Sequence, residues 1–227
     1  MTAPSNRDDP REQQAGSGDV TDVPITLAPM RRRHLRTVVA HEREAYAHPW
    51  TTGLFLSELA RPETRSYIVA RAGAVLVGHC GVLYIGDEGH LTTVVVAAGW
   101  QRHGIATRML LYQFADAVRR GADALTLEVR TANTGARELY RRFGFVPAGI
   151  RKGYYAETGE DALIMWAHDI ASPEARQRRA ALDEALATPT RFDNLPAPSS
   201  RASTAGHPAA GGAAGERGGD GRTEVEP

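Results

Sequence analysis

Large apolar residues recur at close spacing only between Val23 and Ile170 of this 227-residue chain, and that confinement limits what it can fold into. From Met1 to Asp22 the chain is rich in Gly, Pro, Gln and charge. From Thr188 to Pro227 it is rich in Gly, Ala, Pro, Ser and Arg, with only Phe192, Leu195 and Val225 large and apolar. Segments of such composition cannot offset the entropy of being ordered. A disordered leader (1–22) and a disordered tail (188–227) are therefore expected around one folded domain over 23–170, which is long enough for a sizeable core. Between domain and tail, Ser172-Pro173-Glu174 supplies an N-cap, a proline at the first helical position and a first-turn acid. This predicts a marginal helix over 171–187, lying on the domain or in solvent, because its apolar stripe is thin (Leu182, Leu186).

Inside the domain the apolar period alternates between two and 3.6. Val23 to Ala28 reads as a strand, and Met30 to Ala45 and Thr51 to Ala60 as helices separated by the His48-Pro49 break. Ser66–Arg71, Ala74–Ile85 and His90–Val96 are β-rich and joined by Ala72-Gly73 and Gly86-Asp87 turns. Gly104 to Arg120 has a helical period stopped by Gly121, Ala124 to Arg130 alternates as a strand, and Thr134 to Phe143 is a short helix ended by Gly144. Phe145–Ile150 and Ala162–Ile170 are the final strands. The order β-α-α-β-β-β-α-β-α-β-β predicts an α+β fold, a mixed sheet with helices on both faces.

Charge and cysteine content exclude several functions. Twenty-seven basic residues balance twenty-seven acidic ones, so no overall field draws the chain to nucleic acid or an anionic membrane. A lone cysteine, Cys80, allows neither an intramolecular disulfide nor a thiolate metal cluster, and its apolar strand marks it as an inert buried thiol. The polar first twenty residues carry no signal-like apolar run, and no later window reaches the length of a membrane span. A cytoplasmic protein without metal, nucleic acid or membrane partner is expected, as a monomer or weak dimer.

Two segments carry chemistry. Val94-Val95-Val96 leads through a turn to Gln101-Arg102-His103-Gly104-Ile105-Ala106-Thr107. A strand entering a glycine turn that opens a helix presents unpaired N–H groups at a positive helix end, which suits a pyrophosphate, although many helix starts look similar. Neither the dinucleotide glycine spacing nor a P-loop lysine is present. The second segment is Leu127-Glu128-Val129-Arg130-Thr131-Ala132-Asn133, continuing to Leu139-Tyr140 and Gly144-Phe145. From the residues alone, Glu128 could be a strand acid paired with Arg130, Asn133 a helix cap and Tyr140 a packed core residue.

Taken together, Q-x-x-G-x-A, L-E-V-R-x-x-N-x-x-A-x-x-L-Y-x-x-x-G-F and the later Arg151-Lys152-Gly153-Tyr154-Tyr155 with Asp161-Ala162-Leu163-Ile164-Met165 resemble the GNAT acetyltransferase superfamily, within it the RimI-type N-acetyltransferases. The likeness covers about Ile25 to Ile170. It implies a mostly antiparallel sheet with a splayed central strand pair, acetyl-CoA as cosubstrate and no metal. It also implies that Val94, Val95 and Val96 pair with the pantetheine arm, that N–H groups from Arg102 to Thr107 hold the pyrophosphate and that Asn133 contacts coenzyme A. Glu128 matches the general base and Tyr140 the general acid. Trp50, Tyr154 and Tyr155 match residues bordering an acceptor groove for a protein or peptide N-terminus, a ribosomal protein being the family's namesake substrate. His90 stands where relatives often carry an acid, and is read as a polar strand residue, with an auxiliary base or proton relay as the alternative.

Overall fold

The computed structural model describes residues 23–197; the leader expected over 1–22 and the tail beyond 197 lie outside the described residues. Seven strands come first in the chain: β1 (Ile25–Pro29), β2 (Arg65–Ala72), β3 (Val75–Ile85), β4 (Glu88–Val96), β5 (Ala124–Arg130), β6 (Val146–Tyr155) and β7 (Glu160–Ala167). With a short β8 (Arg191–Phe192) they form one sheet in the order β6-β7-β5-β4-β3-β2-β1-β8. All neighbours are antiparallel except β4–β5 and β1–β8.

The period-two alternation of β2 divides the interior in two, because successive strand side chains point to opposite faces. Ile68, Ala70 and Ala72 enter the larger core, whereas Tyr67 and Val69 enter a smaller one. The smaller core is closed by α1 (Leu35–Ala45), preceded by a 3₁₀ turn at Arg32–His34, and by α2 (Thr52–Leu59). The sequence period had merged that turn with α1. Met30 instead donates its N–H to the Tyr67 carbonyl at 2.8 Å and lies outside the helix. The larger core is covered by α3 (Ile105–Arg119) and α4 (Thr134–Arg142). Met109, Leu110 and Phe114 of α3 are fully buried, each contributing about 1.5–3 kcal/mol relative to an exposed position.

The segment after β7 corrects the sequence expectation. α5 (Pro173–Glu184) starts at the Ser172 cap, whose Oγ accepts from Ala175 N–H at 3.2 Å, and its buried Ala175 and Leu182 seat it against α3. Beyond it the chain does not become structureless at Thr188. Residues 188–197 are described, and β8 adds to β1 in parallel, with Asp193 N–H donating to Leu27 O at 2.9 Å and Asp193 accepting from Arg71 at 2.9 Å. Phe192 and Leu195 pack against the larger core. The composition of a forty-residue window hid two apolar anchors, and the unpaired edge of β1 supplied the hydrogen-bond partners.

Candidate active site

β5 places Glu128 by alternation. Leu127 and Val129 are buried in the core, which turns Thr126, Glu128 and Arg130 to the other face. There a cleft of about 490 Å³ opens, walled by Tyr46, Trp50 and Tyr155 with His90, Thr93 and Glu128 along its lining. Glu128 is not paired with Arg130, which instead grips Glu157 and Glu160 at 2.6 and 3.0 Å. Its Oε2 lies 2.6 Å from His90 Nε2 and its Oε1 3.2 Å from Arg151. The His90 hydrogen bond, followed by the charges of His90 and Arg151, holds the carboxyl below its ordinary value against the opposing effect of burial. An ionised Glu128 makes His90 Nε2 the donor of the hydrogen bond between them. His90 thus acquires a chemical partner that its sequence position did not disclose.

Behind this wall lies a second carboxylate. Glu42 falls on the apolar face of α1 with Leu35, Val38 and Val39, and is buried. Its Oε1 lies 2.8 Å from His79 Nε2 and accepts from Thr93 at 2.7 Å, while Oε2 accepts from Trp50 N–H at 3.3 Å. An acid on the buried stripe of an amphipathic helix was a readable signal for such a network. It ties the bend between α1 and α2, where Trp50 sits, to β3 and β4.

β4 and β5 pair at only three positions, Glu88↔Ala124, Gly89↔Leu125 and His90↔Thr126, and then diverge. The cause lies in β4. Gly81 pairs with Thr93 and Val82 with Leu91, so Thr92 is an extra residue, and a bulge of this kind bends its strand. Val94, Val95 and Val96 consequently face β3 on one edge and an open slot on the other. The slot runs into the turn before α3. Arg102 (φ 68°) and Gly104 (φ 73°, ψ 7°) both adopt left-handed backbone there, which Gly104 does at no steric cost. The first intrahelical bond is Arg108 N–H to Gly104 O at 3.0 Å, so the N–H groups of Ile105, Ala106 and Thr107 are the helix-initial donors. His103 Nδ1 lies 2.7 Å from Gln101 O and stiffens the turn. These features fit a pantetheine arm and a pyrophosphate.

The site residues named from sequence therefore fall in three places. Glu128, Trp50, Tyr154 and Tyr155 line the cleft. Val94 to Val96 and Arg102 to Thr107 form the slot and the turn. Asn133 caps α4, its Oδ1 accepting from Ala136 N–H at 3.0 Å. Tyr140 is 8% exposed on α4 and stacks edge-on against Phe145 at 5.7 Å. It does not line the cleft, whose aromatic walls are Tyr46, Trp50 and Tyr155. Burial raises the Tyr140 hydroxyl well above its ordinary value. Cys80 is fully buried, its thiol pushed up by burial.

An open parallel strand junction leading into a donor-rich helix start, with an acid–histidine pair in the adjoining cleft, is the arrangement that the resemblance to coenzyme A-dependent acyltransferases implies. The sequence profile of the acetyltransferase (GNAT) family matches residues 35–145. N-alpha-acetyltransferase RimI of Mycobacterium tuberculosis is 35% identical over 148 residues, 63% of this chain and 91% of that protein. The [ribosomal protein bS18]-alanine N-acetyltransferase of Escherichia coli is 30% identical over 142 residues, 62% of this chain and 95% of that protein. The crystal structure of the Escherichia coli ribosomal-protein-S18-alanine N-acetyltransferase superposes with a TM-score of 0.59 at 28% identity, over 64% of this chain and 94% of that one. The chain belongs to the GNAT family and is an acetyl-CoA-dependent N-acetyltransferase. No helix among the described residues is long and apolar enough to cross a membrane.

Proposed function

We propose that the acceptor is the α-amine of a protein or peptide N-terminus, with an alanine-type ribosomal-protein terminus the foremost candidate. The observation that carries this reading is the cleft itself, in which Glu128 and His90 sit 2.6 Å apart among aromatic walls that suit an extended peptide. The similarity to N-terminal acetyltransferases of M. tuberculosis and E. coli supports it. A polyamine acceptor would bring further cations, and the other cleft acids are already engaged. Glu42 is held by His79 and Thr93, and Glu157 by Arg130.

In this mechanism the amine attacks the acetyl thioester directly. It arrives largely as an ammonium, with a pKa of about 7.7–8.0, and must first lose a proton. The Glu128–His90 pair receives that proton, directly or through a water, with Arg151 fixing the second carboxylate oxygen. As the C–S bond breaks, Tyr140 gives its proton to the departing thiolate. The Arg102–Thr107 turn holds the pyrophosphate, and Val94 to Val96 the pantetheine. A panel of peptides with varied first residues, incubated with acetyl-CoA and followed by mass spectrometry, tests the acceptor. Acetylation of α-amines with small first residues is expected; modification confined to lysine side chains would refute the reading.

A further inference from the structure

The surplus of this chain over its relatives is partly folded onto the cofactor side of the domain. Alignments of 142 and 148 residues cover the relatives almost whole, a length close to that spanned by β1 to β7. α5, β8 and the link between them are additional. Leu186, just past α5, lies over the turn: a Cβ added to Gly104 would come within 2.8 Å of Leu186 Cδ2. Two residues further on the link grips α3. Arg108, in the first turn of α3 and 3% exposed, donates to Thr190 Oγ1 at 2.8 Å and Thr188 Oγ1 at 3.0 Å, and its Nε has no partner among the described residues. A buried guanidinium satisfied by hydroxyls, near the positive end of a helix dipole, is short of negative charge. Burial lowers the Arg108 pKa more than the charge of Asp183 raises it.

We propose that residues 186–190 form a strap that sets coenzyme A affinity, Leu186 backing the Gly104 turn and Thr188 and Thr190 holding Arg108 where the cofactor phosphates complete its charge. Leu186, Thr188 and Thr190 are positioning residues in this assignment. It rests on the reading of the Arg102–Thr107 turn as the pyrophosphate site. The strap acts on the phosphate end alone, so its loss weakens coenzyme A and spares ligands that lack phosphates.

The test is calorimetric titration of the full chain with coenzyme A, paired with kinetics using S-acetylpantetheine as a donor without the pyrophosphate. Leu186→Ala is expected to raise the coenzyme A Kd roughly fivefold to twentyfold, to leave kcat/KM for S-acetylpantetheine within about twofold, and to be rescued by Leu186→Met. A Thr188→Ala/Thr190→Ala double variant should behave likewise, and Arg108→Met should also flatten the salt dependence of coenzyme A binding. Equal loss with both donors would mean general loosening, and an unchanged or tighter coenzyme A Kd would mean a bystander or a competitor; each overturns the strap. Gly104→Glu separates the two levels. If it abolishes coenzyme A binding while the strap variants bind normally, only the strap is wrong. If it binds normally, the turn itself has been misread.

Discussion

At the scale of single residues, the proposed proton transfer turns on one carboxylate, Glu128, and its neighbours. Because Glu128 is held ionised by His90 and Arg151, the proposal has it act as part of a pair rather than as a strong isolated base. Glu128→Gln should lower kcat by roughly a hundredfold to ten-thousandfold, with part of the loss recovered at high pH, where more of the amine is already neutral. His90→Ala should show a smaller loss with the acidic limb of the pH–rate profile displaced. Tyr140→Phe should slow turnover without recovery at high pH, since its buried hydroxyl stays protonated throughout the working range. Glu128 also links stability to pH. Its folded pKa is depressed, so its contribution is present above the unfolded carboxyl value of about 4.3 and is lost as pH falls through the lower folded value. Denaturant titrations should show Glu128→Gln less stable than the parent at pH 7, and the gap closing as pH falls below the ordinary carboxylate range.

At the scale of elements, caps and edges decide what forms. Ser172→Ala removes the acceptor for Ala175 N–H and should cost about 1 kcal/mol, read as a lower denaturation midpoint. A chain ending at residue 187 should melt below one ending at 197, because only the longer keeps β8, the packing of Phe192 and the Arg71–Asp193 pair. Most elements could be read in the sequence. β5 matched residue for residue, and the helices after Gly104 and Asn133 began where glycine and cap chemistry predicted. What could not be read was non-local. β8 depends on the free edge of β1, more than 150 residues away in the chain. The His90–Glu128 bond depends on β4 lying beside β5, and the Glu42–His79–Thr93 network joins α1, β3 and β4. No local period or spacing reports such meetings. The family motif singled out Glu128, which lines the cleft, and Tyr140, which does not.

At the scale of the whole molecule, the sheet is two ladders joined by a short parallel seam. β6, β7 and β5 form one, and β4, β3, β2, β1 and β8 the other. One apolar core spans both, with Leu125, Leu127 and Met165 from the first beside Val77, Val82 and Leu91 from the second. The halves are therefore held together chiefly by packing, with few hydrogen bonds across the seam. That arrangement has a signature in amide hydrogen–deuterium exchange. Along Leu91–Val96, the amides that point toward β5 have no strand acceptor beyond His90↔Thr126, so they should exchange rapidly while those bonded to β3 are protected. Saturating coenzyme A should slow the first set selectively, together with amides of the Arg102–Thr107 turn, and leave β2 and β6 unchanged. The ligand would then serve as a temporary strand, and the protein would carry its most complete sheet only while its cosubstrate is bound.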